Sequence, residues 1–278
     1  MNAEMFTIPT ADGTLVAATR YRHTGPPVVF LHAGVADRRA WSTVTEALRD
    51  DDLDMITYDR RGYGETSTAV DLSAFTHVGD LVDVLDALGI DRPLLVGNSM
   101  GGALALDAAL LHPDRVSGIV LVGSAVSGMT DADTPFDWQL DAASASLLER
   151  IEHPATDAEG KIAALAHLWL DGPTAPEGRV GGHARELFAT MNRKIMEHGA
   201  PESAGDAGVD AWARLGSVSV PVLCAWGELD IPADLPFYEE TARRLGQGPG
   251  RVLPGVAHLP GLEQPELVAD LARAALRS

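Results

Sequence analysis

Leu94-Leu95-Val96-Gly97-Asn98-Ser99-Met100-Gly101-Gly102-Ala103-Leu104-Ala105-Leu106 is an apolar run that breaks at Gly97 and resumes with helical character. The break contains Gly97-Asn98-Ser99-Met100-Gly101, a G-x-S-x-G element between a predicted strand and a predicted helix. A serine on so sharp a turn is held in a strained backbone conformation, with its hydroxyl pushed clear of the sheet. Gly97 and Gly101 suit the turn because a side chain at either position would crowd it or the strand–helix packing. The helix that follows directs its positive end at the serine, which favours negative charge developing there.

Outward from this element, the chain reads as alternating strands and helices. Glu4–Pro9 and Thr14–Tyr21 flank Ala11-Asp12-Gly13 and read as a β-hairpin. Pro27–Ala33 and Asp54–Asp59 are apolar strands, the former continuous rather than alternating, as strands of parallel sheets are. Amphipathic or helical patterns cover Arg38–Arg49 and Leu72–Leu88, and Met100–Leu111 follows the strand Pro93–Asn98. Ser117–Gly123 is a further strand. This order predicts an α/β fold with a doubly wound, mostly parallel sheet.

From Ser124 to Ser217 the rhythm changes, and no buried strand stands out. Helical stretches (Ala143–Ile151, Gly160–Trp169, Ala184–His198) alternate with joints such as Gly172-Pro173 and Gly178. Alternation returns with Val220–Trp226, Ala233–Leu245, Arg251–Leu253 and Gln264–Leu276. The expected organisation is a core of residues 1–123 and 218–278, with a helical cap inserted at 124–217 over the carboxyl ends of the strands. Ligands bind at that edge of open α/β sheets.

Composition narrows the partners. The 278 residues carry 21 basic and 40 acidic side chains, a net charge of −19 that repels nucleic acid and anionic membranes. Acidity of this size mainly aids solubility. Cys224, the single cysteine, lies in an apolar strand and reads as inert packing. The amino-terminal residues lack a signal-peptide pattern, and no apolar run is long enough to cross a bilayer, so a cytoplasmic monomer or homodimer acting on a small molecule is expected.

A serine hydroxyl becomes nucleophilic when a base takes its proton and a third group orients that base. For a serine on this type of turn, the acid and then the histidine follow in chain order. Val220–Trp226 runs into Gly227-Glu228-Leu229-Asp230, and Arg251–Leu253 runs into Pro254-Gly255-Val256-Ala257-His258. Ser99, Asp230 and His258 therefore stand on three loops at one sheet edge and form a candidate triad. Glu228, and Asp131 and Asp133 after Ser117–Gly123, compete with Asp230 for the acid role. Acyl transfer also needs two N–H donors for its oxyanion, assigned to Met100 and to Gly34 in the loop after Pro27–Ala33.

These motifs together resemble the α/β-hydrolase superfamily with a helical cap. They are His32-Ala33-Gly34, Tyr58-Asp59-Arg60-Arg61-Gly62-Tyr63-Gly64, Gly97–Gly101, Gly227–Asp230 and Gly255–His258, and they span nearly the whole chain outside the cap. Ala33 stands where the family commonly has glycine, and Ala257 where glycine often precedes the histidine. The resemblance implies an α/β-hydrolase fold and a serine hydrolase that cleaves an ester or lactone of a small to medium apolar substrate, with neither metal nor organic cofactor. Hydrolysis of C–C bonds and cofactor-free perhydrolysis use the same machinery, and the Tyr58–Gly62 stretch resembles perhydrolase relatives. Epoxide and haloalkane hydrolysis are disfavoured because they use aspartate where this chain has Ser99. A small-ligand receptor that retains the fold is the rival from another class.

Other conspicuous residues have plainer explanations. His32 reads as a ring that holds loop backbone, and Asp59-Arg60-Arg61-Gly62 as an ion-paired turn lacking the lysine of a phosphate-binding loop. Trp41, Met129, Trp138 and Trp169 are candidate substrate contacts. Phe136, Phe188, Trp212, Met191 and Met196 are further apolar residues that helix packing explains equally well.

Overall fold

A computed structural model describes residues 3–66, 75–129, 135, 136, 138–198 and 207–277. The described residues form an eight-stranded sheet from β1 (Ala3–Pro9), β2 (Leu15–Tyr21), β3 (Pro27–Leu31), β4 (Asp54–Tyr58), β5 (Leu94–Asn98), β6 (Gly118–Val122), β7 (Val222–Gly227) and β8 (Arg251–Leu253). Its order is β1-β2-β4-β3-β5-β6-β7-β8. The first two strands form the antiparallel hairpin, β2 joins β4 antiparallel, and the remaining pairs are parallel.

Both faces of the sheet are covered, which explains the continuous apolar strands. Val29, Leu31 and Leu95 point into one apolar layer; Val28, Phe30, Leu94 and Val96 point into the other. Each such side chain taken from water contributes roughly 1.5–3 kcal/mol. The first layer packs under α2 (His77–Leu88), α3 (Met100–Leu111) and α8 (Leu235–Leu245), the second under α1 (Ser42–Ala47) and α10 (Pro265–Ala275). Between β6 and β7 lie α4 (Ala142–Glu152), α5 (Ala158–Ala166), α6 (Gly182–His198) and the short α7 (Ala211–Arg214); α9 (Pro260–Glu263) precedes α10.

Several elements differ from the pattern-based expectation, each for a local reason. Arg38–Arg49 is a 3₁₀ turn, Arg38–Trp41, capped by Asp37, followed by the short α1. Arg38 is drawn out of a helical register by ion pairs to Asp59 and Glu65. α2 starts at His77 because the Thr76 hydroxyl accepts from Gly79 N–H; residues 72–74 of the expected helix, like Asp131 and Asp133, lie outside the described residues. The helix expected over Gly160–Trp169 ends at Ala166 and passes into a π-type turn, His167–Asp171. Pro265 separates α9 from α10. Within the expected insertion, Ala211, Trp212 and Leu215 pack in the same apolar layer as α3, not with the helices α4–α6.

Candidate active site

Ser99 occupies the junction of β5 and α3 with φ 54° and ψ −119°, a conformation rare for a residue with a side chain. The surroundings enforce it. Ser99 N–H donates to Val122 O at 3.0 Å, and its carbonyl accepts from Gly102 N–H at 2.9 Å and Ala125 N–H at 3.1 Å. A Cβ on Gly101 would overlap Leu31 O and lie 2.5 Å from Leu31 C; one on Gly97 would lie 2.6 Å from the Gly101 carbonyl carbon. All of these neighbours are backbone and have no rotamer to yield.

Asp230 and His258 meet beside it. His258 Nδ1 lies 2.8 Å from Asp230 Oδ2, and the two residues are 4% and 1% exposed. Asp230 also accepts from Ile231 N–H at 2.8 Å and from the Tyr238 hydroxyl at 3.1 Å, so its carboxylate is stabilised on both oxygens. The loops that carry the pair are laced together: Glu228 N–H donates to Leu253 O and Leu229 N–H to Val256 O, each at 2.9 Å. Glu228 turns away and accepts from Gly255 N–H at 2.9 Å, which separates the two acids competing for the histidine. Gly123, at φ 49°, leaves room; a Cβ there would lie 3.2 Å from Asp230 Oδ2 and 3.3 Å from His258 Nδ1.

Burial pulls the His258 imidazole down, but Asp230, with Asp234 and Glu263 behind it, outweighs burial and the net direction is upward. With Nδ1 committed to Asp230, Nε2 has no partner among the described residues. Asn98 is a residue that sequence reasoning missed: its Nδ2 donates to His258 O at 3.0 Å and to Val122 O at 2.9 Å, tying the histidine loop to the strand before Ser99. The residue at that motif position varies too freely in chemistry for its role to be read without coordinates.

His32 is 1% exposed, with Nδ1 2.8 Å from Ala33 O and Nε2 accepting from Arg60 N–H at 3.0 Å. Burial, and then the charge of Arg60, push its pKa down, so the ring is a neutral brace for the loop. That loop brings Gly34 against α3: a Cβ on Gly34 would lie 2.7 Å from Met100 Sδ. Neither the Gly34 nor the Met100 N–H has a protein acceptor among the described residues.

Ser99 and His258 open into one cavity of about 360 Å³, also lined by Met129, Trp138 and Trp169. The Trp169 and His258 ring centroids are 4.6 Å apart at 49°. Trp41 is not part of this cavity; it is 3% exposed and packs on Phe30 at 5.3 Å and against Gly261, because the 3₁₀ turn rotates it inward. Phe188 and Met191 are buried among the helices and Trp212 stacks on Phe237, while Met196 is exposed. Asp234, Phe237 and Tyr238, from the start of α8, and residues 123–126 after β6 also line it, none of them marked by a sequence motif. No group of three or more His, Cys, Asp or Glu side chains among the described residues is placed to hold a metal ion.

One arginine joins the helices to the histidine loop. Arg179 donates to Leu170 O at 2.9 Å, Asp171 O at 2.6 Å and Gly255 O at 2.9 Å, and pairs with Glu263. Glu263 in turn accepts from Ala257 N–H at 2.9 Å. Burial pushes the Glu263 carboxyl up to about 7 despite Arg179.

Comparison with known proteins agrees with this architecture. Epoxide hydrolase B of Mycobacterium tuberculosis is 29% identical over 244 residues, covering 81% of this chain and 67% of that protein. A solved thermophilic esterase from Thermogutta terrifontis superposes with TM-score 0.74 at 27% identity, covering 99% of this chain and 98% of its own. A solved N-acyl homoserine lactone degrading enzyme superposes with TM-score 0.70 at 25% identity, covering 96% and 99%. The family model of the α/β hydrolase fold matches residues 26–263, from the strand before the Gly34 loop through the helix after His258, and the chain belongs to that family.

Proposed function

We propose that this hydrolase cleaves a carboxylic ester or lactone of a small to medium apolar substrate through an acyl-enzyme on Ser99. The observation that carries this reading is the His258–Asp230 pair at 2.8 Å, with His258 and Ser99 bordering the same cavity. Ser99 Oγ attacks the carbonyl carbon as His258 Nε2 takes its proton, and Asp230 holds the tautomer and stabilises the imidazolium. The Gly34 and Met100 N–H groups receive the oxyanion, with the start of α3 adding its positive end. His258 then protonates the leaving alkoxide and activates the water that clears the acyl group. In the same reading, helices within residues 124–217 serve as a cap that keeps water from the acyl-enzyme.

Serine rather than aspartate at position 99 supports ester over epoxide chemistry. The lactone-degrading neighbour supports including cyclic esters. C–C hydrolysis and perhydrolysis draw on the same groups, but no residue of the cavity specifically favours either. The test is fluorophosphonate labelling with peptide mapping, together with turnover of p-nitrophenyl acetate and butyrate. Labelling confined to Ser99, and loss of both labelling and turnover in Ser99→Ala, are expected. Turnover that persists in Ser99→Ala would remove the mechanism. Tight ligand binding without turnover on any acyl substrate would favour a receptor.

A further inference from the structure

The polar groups lining the cavity are almost all spoken for. The Ser124 hydroxyl donates to Ala125 O at 2.7 Å, and the Tyr238 hydroxyl donates to Asp230. Ser99 and His258 belong to the chemistry. Asp234 is different: Oδ1 accepts from Trp138 Nε1 at 2.9 Å, while Oδ2 has no hydrogen-bond partner among the described residues. Its position makes this unusual. Asp234 is the N-cap of α8, where an aspartate normally accepts from the first-turn N–H groups, yet its side chain makes no such bond. The carboxyl is turned instead towards Trp138 and the cavity.

Among the described residues no lysine or arginine lines the cavity. Burial, and then Asp230, push the Asp234 carboxyl upward while Trp138 and His258 oppose them. Among the described residues no side chain donates to Oδ2, the Trp169 indole N–H included, so it is open to a donor from a ligand in the cavity.

We propose that Asp234 is the specificity-determining residue of this cavity, selecting esters or lactones that carry an N–H donor, as an amide or a protonated amine, and rejecting those that carry a carboxylate. This rests on the acyl-transfer reading above and specifies its substrate class. A donor nitrogen completes the Asp234 coordination, whereas a carboxylate would sit unpaired near Asp234 and Asp230. An apolar body with one N–H fits a cavity whose walls are otherwise hydrocarbon and aromatic.

The test compares ethyl esters of equal length that end in methyl, amide, ammonium or carboxylate: heptanoate, 4-acetamidobutanoate, 6-aminohexanoate and adipate monoester. A second set carries the same termini on the alcohol side of acetate esters. In at least one set, donor-ended esters should exceed the methyl-ended ester about tenfold in kcat/KM, as expected for a hydrogen bond to a charged group. The carboxylate-ended ester should fall below both. In Asp234→Leu the donor-to-methyl ratio should drop to about one. Asp234→Asn, which keeps the size of the side chain, separates the two donors, since it retains preference for the amide and loses that for the ammonium. Equal kcat/KM for donor and methyl esters in both sets, or a ratio that survives in Asp234→Leu, would overturn the proposal. Calorimetric binding of the same esters to Ser99→Ala reads the preference without turnover. No donor preference in the unsubstituted enzyme, with Ser99 labelled by fluorophosphonate, would sink this inference alone; absence of labelling and turnover would sink the acyl-transfer reading.

Discussion

The β5–α3 junction and the helical segment that carries Trp169, Asp171 and Arg179 both border the cavity, yet they are held by different forces. At the junction, Ser99 is fixed by four backbone hydrogen bonds and by glycines whose neighbours are themselves backbone. In the helical segment the fixings are side chains: buried Asp171 accepts from Gly178 and Val180 N–H and pairs with Arg185, while Arg179 reaches across to Gly255 and Glu263. Backbone sterics give a position with no slack. Long charged side chains give one that can be retuned, so Ser99 is placed rigidly and the cavity wall adaptably.

The sharpest way to break this contrast is to truncate one ring from each region. His258→Ala should lower kcat/KM on p-nitrophenyl butyrate about 10⁴-fold. Trp169→Ala, which removes only the ring against His258, should cost about tenfold. Comparable losses would mean that the helical segment takes part in the chemistry directly.

Stability offers the next comparison. Gly101→Ala forces a Cβ into Leu31 backbone and should cost about 4 kcal/mol or more, lowering the thermal midpoint by roughly 10 °C. Gly34→Ala meets the flexible end of Met100 instead and should cost about 1 kcal/mol or less. Thermal unfolding of the two variants distinguishes a steric limit from a soft contact.

The link between the regions has a pH signature. Glu263 is held at about 7 against an ordinary 4.5, with its side chain 2% exposed. Its protonated form is the one favoured on folding, so its contribution is full below pH 4.5 and lost as pH rises through about 7. Denaturant titrations should show this loss, on the order of 3 kcal/mol, and Glu263→Gln should abolish the slope across that window. The activity profile tests the other end: the acid limb of kcat/KM should have its midpoint above 6.5, since Asp230 raises His258. Asp230→Asn should move that limb downward, because burial is then opposed by less negative charge.

The smallest expected effect concerns Cys224, far from both regions. Cys224 is half-buried and borders a surface cavity, but burial pushes its thiol up to about 12, so iodoacetamide at pH 8 should modify it slowly for want of thiolate. Rapid alkylation would mean that the thiol is more acidic than its surroundings dictate.

The parallel sheet was legible because Val28–Leu31 and Leu94–Val96 are apolar at consecutive positions, the mark of strands covered on both faces. The element limits were less so, since they depend on single caps and ion pairs such as Thr76 with Gly79 and Arg38 with Asp59. Of the candidate site, Ser99, Asp230 and His258 were identifiable because each follows a strand and a glycine-bearing turn. Asn98 was not, because its motif position does not specify a side chain, nor were Arg179 and Asp234, whose neighbours along the chain do not distinguish them from ordinary polar residues.

Residue order alone was enough to set strand and helix alternation, the strained turn at Ser99 and the loops that carry Asp230 and His258. These follow from hydrophobic period and backbone sterics, which act over a few residues. Whether Glu228 or Asp230 faces the imidazole, whether Trp41 or Trp169 meets the cavity, and which carboxyl is left with an open oxygen were resolved by folding. Those outcomes depend on which distant segments meet and on how much water each meeting expels, quantities that no local stretch of chain contains.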